Sequence, residues 1–288
     1  MATLLVHIAL LAYTAGAAAF LTWLVRPDRR WVQAGRALLL AGVVLHFGVL
    51  GAALASASQS ASLAGVGLGS SGWKGGQLFS LLAAVIVAGY LILDLRYELP
   101  VAGAFVAPFT VAVMVPAHLV ESAQHAVAPQ LYRSAALFIH VGAAALGTGI
   151  LALAFGLALL YLASEHQVKS KRPGRLFARL PSLELIDRAG YRLAVWGFVF
   201  LSLAIATGSL VSHEATGSGF PLAPKQGFAV LAWGLFATLI QARMVAGWRG
   251  RRVALLVVTG FVLLAGSYVG LLSAAPVVQQ AVALGVRP

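Results

Sequence analysis

An all-α transmembrane bundle of about eight spans, with both termini outside, is the fold class this sequence predicts, on three observations. Of its 288 residues, 60% are apolar and only 10% are charged, far from the balance of a soluble domain. Apolar runs long enough to cross a bilayer recur from end to end, and the run from Ser134 to Ser164 holds no Asp, Glu, Lys or Arg. The basic residues fall between alternate runs. Sixteen of the twenty then lie on one side of the membrane, with Lys74, Arg133, Lys225 and Arg287 on the other. Cytoplasmic loops carry such an excess, so the basic side is the inner one.

The elements follow in order. Span 1 is expected at about 2–25, and its arginines (Arg26, Arg29, Arg30) come after the apolar run. A cleavable signal peptide has its positive charge before the run, so this segment is kept as a true span. Span 2 covers about 33–54, and the Ser-, Gly- and Ala-rich stretch 55–76 favours a loose outer loop. Spans 3 and 4 are placed at about 77–94 and 100–116. An outer segment, 117–134, carries His118, Glu121 and His125 at i, i+3 and i+7, one face if helical. Span 5 covers about 135–163. After it, SEHQVKSKRPGRL (164–176) is basic with a Pro–Gly break and reads as a solvated loop. Residues 182–192 follow Pro181, with Ser182 as an N-cap, and read as a short helix leading into span 6 at about 193–212. Spans 7 and 8 are placed at about 227–245 and 253–273. Helices in lipid pack through small residues; Gly142, Gly147 and Gly149 in span 5 and Gly266 and Gly270 in span 8 supply them. The whole, 1–288, is expected to be one transmembrane domain.

The net charge of +12 is therefore an orientation signal that also attracts anionic lipid headgroups, not a nucleic-acid footprint. The chain has no cysteine, which excludes disulfides, Cys–Xaa–Xaa–Cys redox chemistry and covalently attached haem.

Histidine is the functional clue. Threaded this way, His7, His46, His118, His125, His140 and His213 fall on the outer side, and His166 alone faces inward. Neutral imidazole is a good ligand for haem iron. His140 opens span 5 and His213 closes span 6, so the two can point at one outer site, with His46 as second choice for partner. Phe220, Phe228 and Trp233 could wall an apolar plate, although interfacial aromatics are commonly simple anchors. The bland alternative is that each is a wetted interfacial histidine. His118, Glu121 and His125 could hold a divalent metal, but a solvated amphipathic helix accounts for them as well. No carboxylate lies deep in a span, which counts against an ion-coupled transporter.

Four stretches carry a family likeness: LFIHVGAAALGTGILALAFGLALLYL (137–162), LIDRAGYRLAVWGFVFLSLAIATGSLVSHE (185–214), QGFAVLAWGLFATLIQARMVAGWRGRR (226–252) and the span at 253–272. They resemble the cytochrome c assembly membrane family, which includes CcsA-, HemX- and YpjD-type proteins, over about residues 135–275. The haem-delivering members carry a tryptophan-rich outer loop (the WWD motif) between spans 6 and 7. Here that place reads ATGSGFPLAPKQGF, with no tryptophan before Trp233. A family histidine near the end of the penultimate span is replaced by Gln241, and another has no counterpart around Leu271–Ser273. The likeness is therefore closest to the YpjD-type branch. It implies His140 as a haem ligand, and a multi-pass protein of the bacterial inner membrane that binds haem b noncovalently. Its partners would be cytochrome assembly or haem-biosynthesis proteins, and it is expected not to be an enzyme. The rival expectation is a scaffold or regulator of haem biosynthesis or metal homeostasis that retains no haem.

Overall fold

A computed structural model describes residues 2–64, 75–120, 135–170, 181–217 and 224–283. All the regular structure there is helical. In chain order the helices are α1 Ala2–Val25, α2 Arg29–Ala64, α3 Gly75–Tyr97, α4 Pro100–Val120, α5 Ala135–Lys169, α6 Leu183–Thr216, α7 Pro224–Val245 and α8 Arg251–Ala283. Helices suit a bilayer because each satisfies its own backbone hydrogen bonds. Seven contain a segment long and apolar enough to cross a membrane. The eighth, α4, offers the shorter apolar stretch Pro100–Val115. It is well enclosed, with Val101, Ala104, Ala107 and Met114 all buried. The protein is a polytopic helical bundle.

Several elements run past their expected bounds. The first ten residues of the anticipated 55–76 loop continue α2, and α8 runs on to Ala283. The short helix expected at 182–192 is continuous with span 6. Its N-cap is Ser182, whose Oγ accepts from the Leu185 amide at 3.3 Å. Asp28 caps α2 in the same way, accepting from the Arg30 amide at 3.0 Å.

The helices pair as antiparallel hairpins, α1–α2, α3–α4, α5–α6 and α7–α8, all turning at the arginine-rich end. Large apolar side chains such as Leu11, Leu40, Ile92, Leu95, Trp196 and Leu231 face outward, as suits lipid rather than water. α5 lies at the centre, packing on α3, α6 and α8. Glycines let it approach them: a methyl on Gly147 would lie 2.9 Å from the Leu201 backbone nitrogen, and one on Gly149 2.6 Å from Val85. Gly142 meets open space, and Gly266 makes only ordinary contact with Phe228. Close approaches at Gly35, Gly42, Gly89 and Gly197 add to those the sequence singled out. Deeper in, Phe109, Phe155 and Phe261 converge, with the rings of the last two stacked at 4.7 Å.

Polar latches join successive hairpins at the arginine-rich end. The Arg36 guanidinium donates to both oxygens of Asp94, from Nε at 2.6 Å and from an NH2 group at 3.1 Å. Arg192 donates to the Tyr97 hydroxyl at 3.1 Å. Asp187 accepts from Arg243 at 2.8 Å and from the Gly250 amide at 2.9 Å, while the Arg243 guanidinium lies 4.2 Å above the Tyr191 ring. Asp94 is only 1% exposed. It stands at the very end of the expected span 3, and the fold encloses it there and neutralises it with Arg36.

Two outcomes are expected. Because the chain lacks cysteine, single-cysteine labelling is clean: with an impermeant maleimide on spheroplasts, Glu214→Cys should react in intact cells and Pro27→Cys only after lysis. The opposite pattern would invert the topology. Arg36→Ala, which leaves a buried carboxylate unpaired, should destabilise the detergent-solubilised protein by about 3–5 kcal/mol. Arg188→Ala, which breaks an exposed i,i+4 pair with Glu184, should change stability by at most about 0.5 kcal/mol. Thermal unfolding of the two variants compares them directly.

Candidate functional site

The candidate histidines occupy three different environments. His140 is in the second turn of α5, at the seam with α6. Its Nδ1 donates to the Ala204 carbonyl at 2.7 Å, since a carbonyl can only accept. In the neutral imidazole the lone pair then belongs to Nε2. The ring packs so closely on α6 that a methyl on Gly208 would fall 2.8 Å from its Cε1. A metal-binding imidazole typically donates its other ring N–H to a carbonyl or carboxylate, which fixes tautomer and orientation. His140 therefore fits the role of an axial ligand.

His46 does not. It is fully buried at 0% exposure, between α1, α2 and α3. Its Nδ1 meets the Tyr13 hydroxyl at 3.2 Å, and its Nε2 meets the Ser80 hydroxyl. Tyr13, also buried, packs against Gly42 one helical turn below His46. Both ring nitrogens are used, so His46 is a satisfied core histidine that locks three helices together.

His213 lies in the last turns of α6, exposed, and its carbonyl accepts from the capping Gly217 amide at 2.9 Å. It follows Ala204 by nine positions, about two and a half turns at roughly 3.6 residues per turn. It therefore projects from the side of α6 opposite to the one that holds His140. The expected opposed pair of His140 and His213 is not assembled, because the phase of a single continuous helix separates them. His213 instead shares a side with Ser202, whose Oγ accepts from Trp233 Nε1 at 2.9 Å. The Trp233 ring also stacks on Phe198 at 5.5 Å. Trp233 thus bridges α7 to α6 and stands away from His140. Phe228 packs towards Gly266 of α8, and Phe220 lies outside the described residues.

Of the remaining histidines, His7 and His166 are exposed, and His118 is in the last turn of α4. Glu121 and His125 lie outside the described residues, so the anticipated triad is not placed. Among the described residues no group of three or more His, Asp or Glu side chains is arranged to hold a metal ion. Sequence reasoning missed the partners Tyr13, Ser80 and Gly208. A helical-wheel projection of α6 was the one signal that could have separated His213 from His140.

The fold defines a multi-pass helical membrane protein; among its described residues, a well-oriented histidine sits between the central helix and the next. Residues 73–275 match the model of the cytochrome C assembly protein family, and the chain belongs to that family. The match takes in α3 and α4 as well as the stretch from 135 onward. Related proteins include the cytochrome c biogenesis protein CcsA of Trichormus variabilis, 36% identical over 115 residues, which are 39% of this chain and 33% of the relative. The CcsA of Nostoc punctiforme is 39% identical over 111 residues, 38% of this chain and 31% of the relative. That of Gloeothece citriformis is 35% identical over 103 residues, 36% and 31% respectively. The matched stretch spans about a third of the length of these curated relatives.

His46→Ala should destabilise the protein by about 3 kcal/mol, since it opens a cavity and orphans two buried hydroxyls. The readout is the thermal midpoint in detergent; a midpoint equal to that of the parent would show that the Tyr13–His46–Ser80 contact contributes little.

Proposed function

We propose that this protein handles haem in cytochrome c assembly at the bacterial inner membrane, with its arginine-rich end in the cytoplasm. Haem b binds noncovalently near the outer face, and His140 is the protein ligand. The observation that carries this reading is the Nδ1–H bond from His140 to Ala204, which orients Nε2 as a lone-pair donor in a member of this family. Bound haem would supply the redox-active iron. The chain's own share is to hold and orient: α5 and α6 fix the imidazole, and the apolar helix surfaces keep water from the plate. The chain is not an enzyme in this reading. It holds haem or presents it to cytochrome assembly proteins, and carries out no covalent chemistry itself. The absence of cysteine accords with noncovalent holding.

His213, on the other side of α6, is not the opposing ligand, and His46 is committed to Tyr13 and Ser80. Among the described histidines this leaves His140 as the proposed ligand. The absorption spectrum of the detergent-purified protein, oxidised and reduced, tests this beside His140→Ala and His213→Ala. The expected result is a haem spectrum that added imidazole alters, that His140→Ala loses and that His213→Ala keeps. Loss in both variants would restore the paired-histidine site. A colourless protein that takes up no added haemin would sink the haem reading and favour a membrane scaffold or regulator.

A further inference from the structure

The seam that holds His140 contains more than the histidine. Ala204 and Gly208 are one helical turn apart on α6 and face α5 together. Ala204 is 4% exposed, so the carbonyl that receives His140 is in a water-poor setting where a hydrogen bond is strong and an unmade one is costly. Gly208 lies beneath the ring. The methyl that any larger residue would carry there would fall 2.8 Å from Cε1 and 3.0 Å from Nδ1, but 3.7 Å from Nε2. The Nδ1–Cε1 edge is thus pressed on α6, and Nε2 is the nitrogen held farther from it. Thr207, between the two, donates to the Leu203 carbonyl at 2.7 Å, with the Ala204 carbonyl more distant at 3.3 Å. It leaves the closer approach to Ala204 to the imidazole.

We infer that Gly208 and the Ala204 carbonyl are positioning groups for His140: the missing side chain at 208 lets the ring reach the carbonyl, and the carbonyl fixes the Nδ1–H tautomer before any ligand arrives. The use of this device rests on the haem reading above, but the tautomer does not. Relief by spreading the helices is resisted deeper in the same seam. There Gly147 abuts the Leu201 backbone, and a methyl on Gly197 would fall only 2.6 Å from the Leu151 side chain. A methyl at 208 therefore displaces the ring, and the 2.7 Å bond is what gives way.

The test is nitrogen-15 spectroscopy of histidine-labelled, haem-free protein in detergent at mildly alkaline pH, with the His140 signals assigned by their loss in His140→Ala. The wild-type protein should show His140 as the Nδ1–H tautomer. Gly208→Ala should shift it to a tautomer mixture. Gly142→Ala, on α5 beside His140 but facing open space, should leave it unchanged. Haemin titration should then show Gly208→Ala binding about 10–100-fold more weakly than wild type, the range for loss of an outer-shell partner. A wild-type His140 in the Nε2–H form would overturn the inference, as would a folded Gly208→Ala with the wild-type signals. Should Gly208→Ala fail to fold, the wild-type tautomer decides alone. If wild type takes up no haemin while the tautomer results hold, the haem reading fails and the positioning stands.

Discussion

Within a hydrocarbon layer every polar group must find its partner inside the protein, and that constraint organises this molecule. It selects helices, and it drives the ionic pairs to one end of the bundle. It also explains why most of the few polar side chains left in the interior are matched, the buried Tyr90 hydroxyl being an exception. Hydroxyls in the spans return to their own helices: Thr22 to the Ala18 carbonyl, Thr110 to Val106, Ser164 to Leu160. Those that do not, such as Tyr13 and Ser80 on His46 or Thr148 against the Tyr268 hydroxyl at 3.0 Å, join one helix to another. In lipid the hydrophobic effect does not hold helices together, so close glycine contacts and these few hydrogen bonds must do so.

The same constraint separates the roles of the histidines. Deep among α1, α2 and α3, an imidazole with both nitrogens engaged serves as a connector. At the α5–α6 seam, an imidazole held through its Nδ1–H by the Ala204 carbonyl is oriented by the protein. The difference between a core histidine and a candidate ligand lies in which neighbours each meets. Residue type and depth do not distinguish them.

Much of the architecture was legible in the sequence. The spans, the crowding of arginine at alternate connections and the Ser182 cap are all local or periodic signals. The unreadable part was long-range. Nothing local to His46 marks Tyr13, 33 positions before it, or Ser80, 34 positions after it, as partners. Asp94 reads as a peripheral charge until its pairing with Arg36, 58 positions away, is seen. The expected meeting of His140 and His213 had another origin. It considered where spans begin and end, and left out the rotational phase of the helix between them. The 182–192 segment proved continuous with span 6, so one phase governs everything from Leu185 to His213. Gly208 looked like one of many small residues, and only the ring lying on it gives it a purpose.

The latches at the arginine-rich end follow the order of the chain. Arg36 meets Asp94 across the first and second hairpins, Tyr97 meets Arg192 across the second and third, and Asp187 meets Arg243 and the Gly250 amide across the third and fourth. A ribosome delivers these partners in succession, and domains synthesised first fold first. Each hairpin therefore enters the bilayer with a charge or hydroxyl on its arginine-rich rim already waiting for the next. These latches can close in the order of translation, none of them drawing on a side chain of α8.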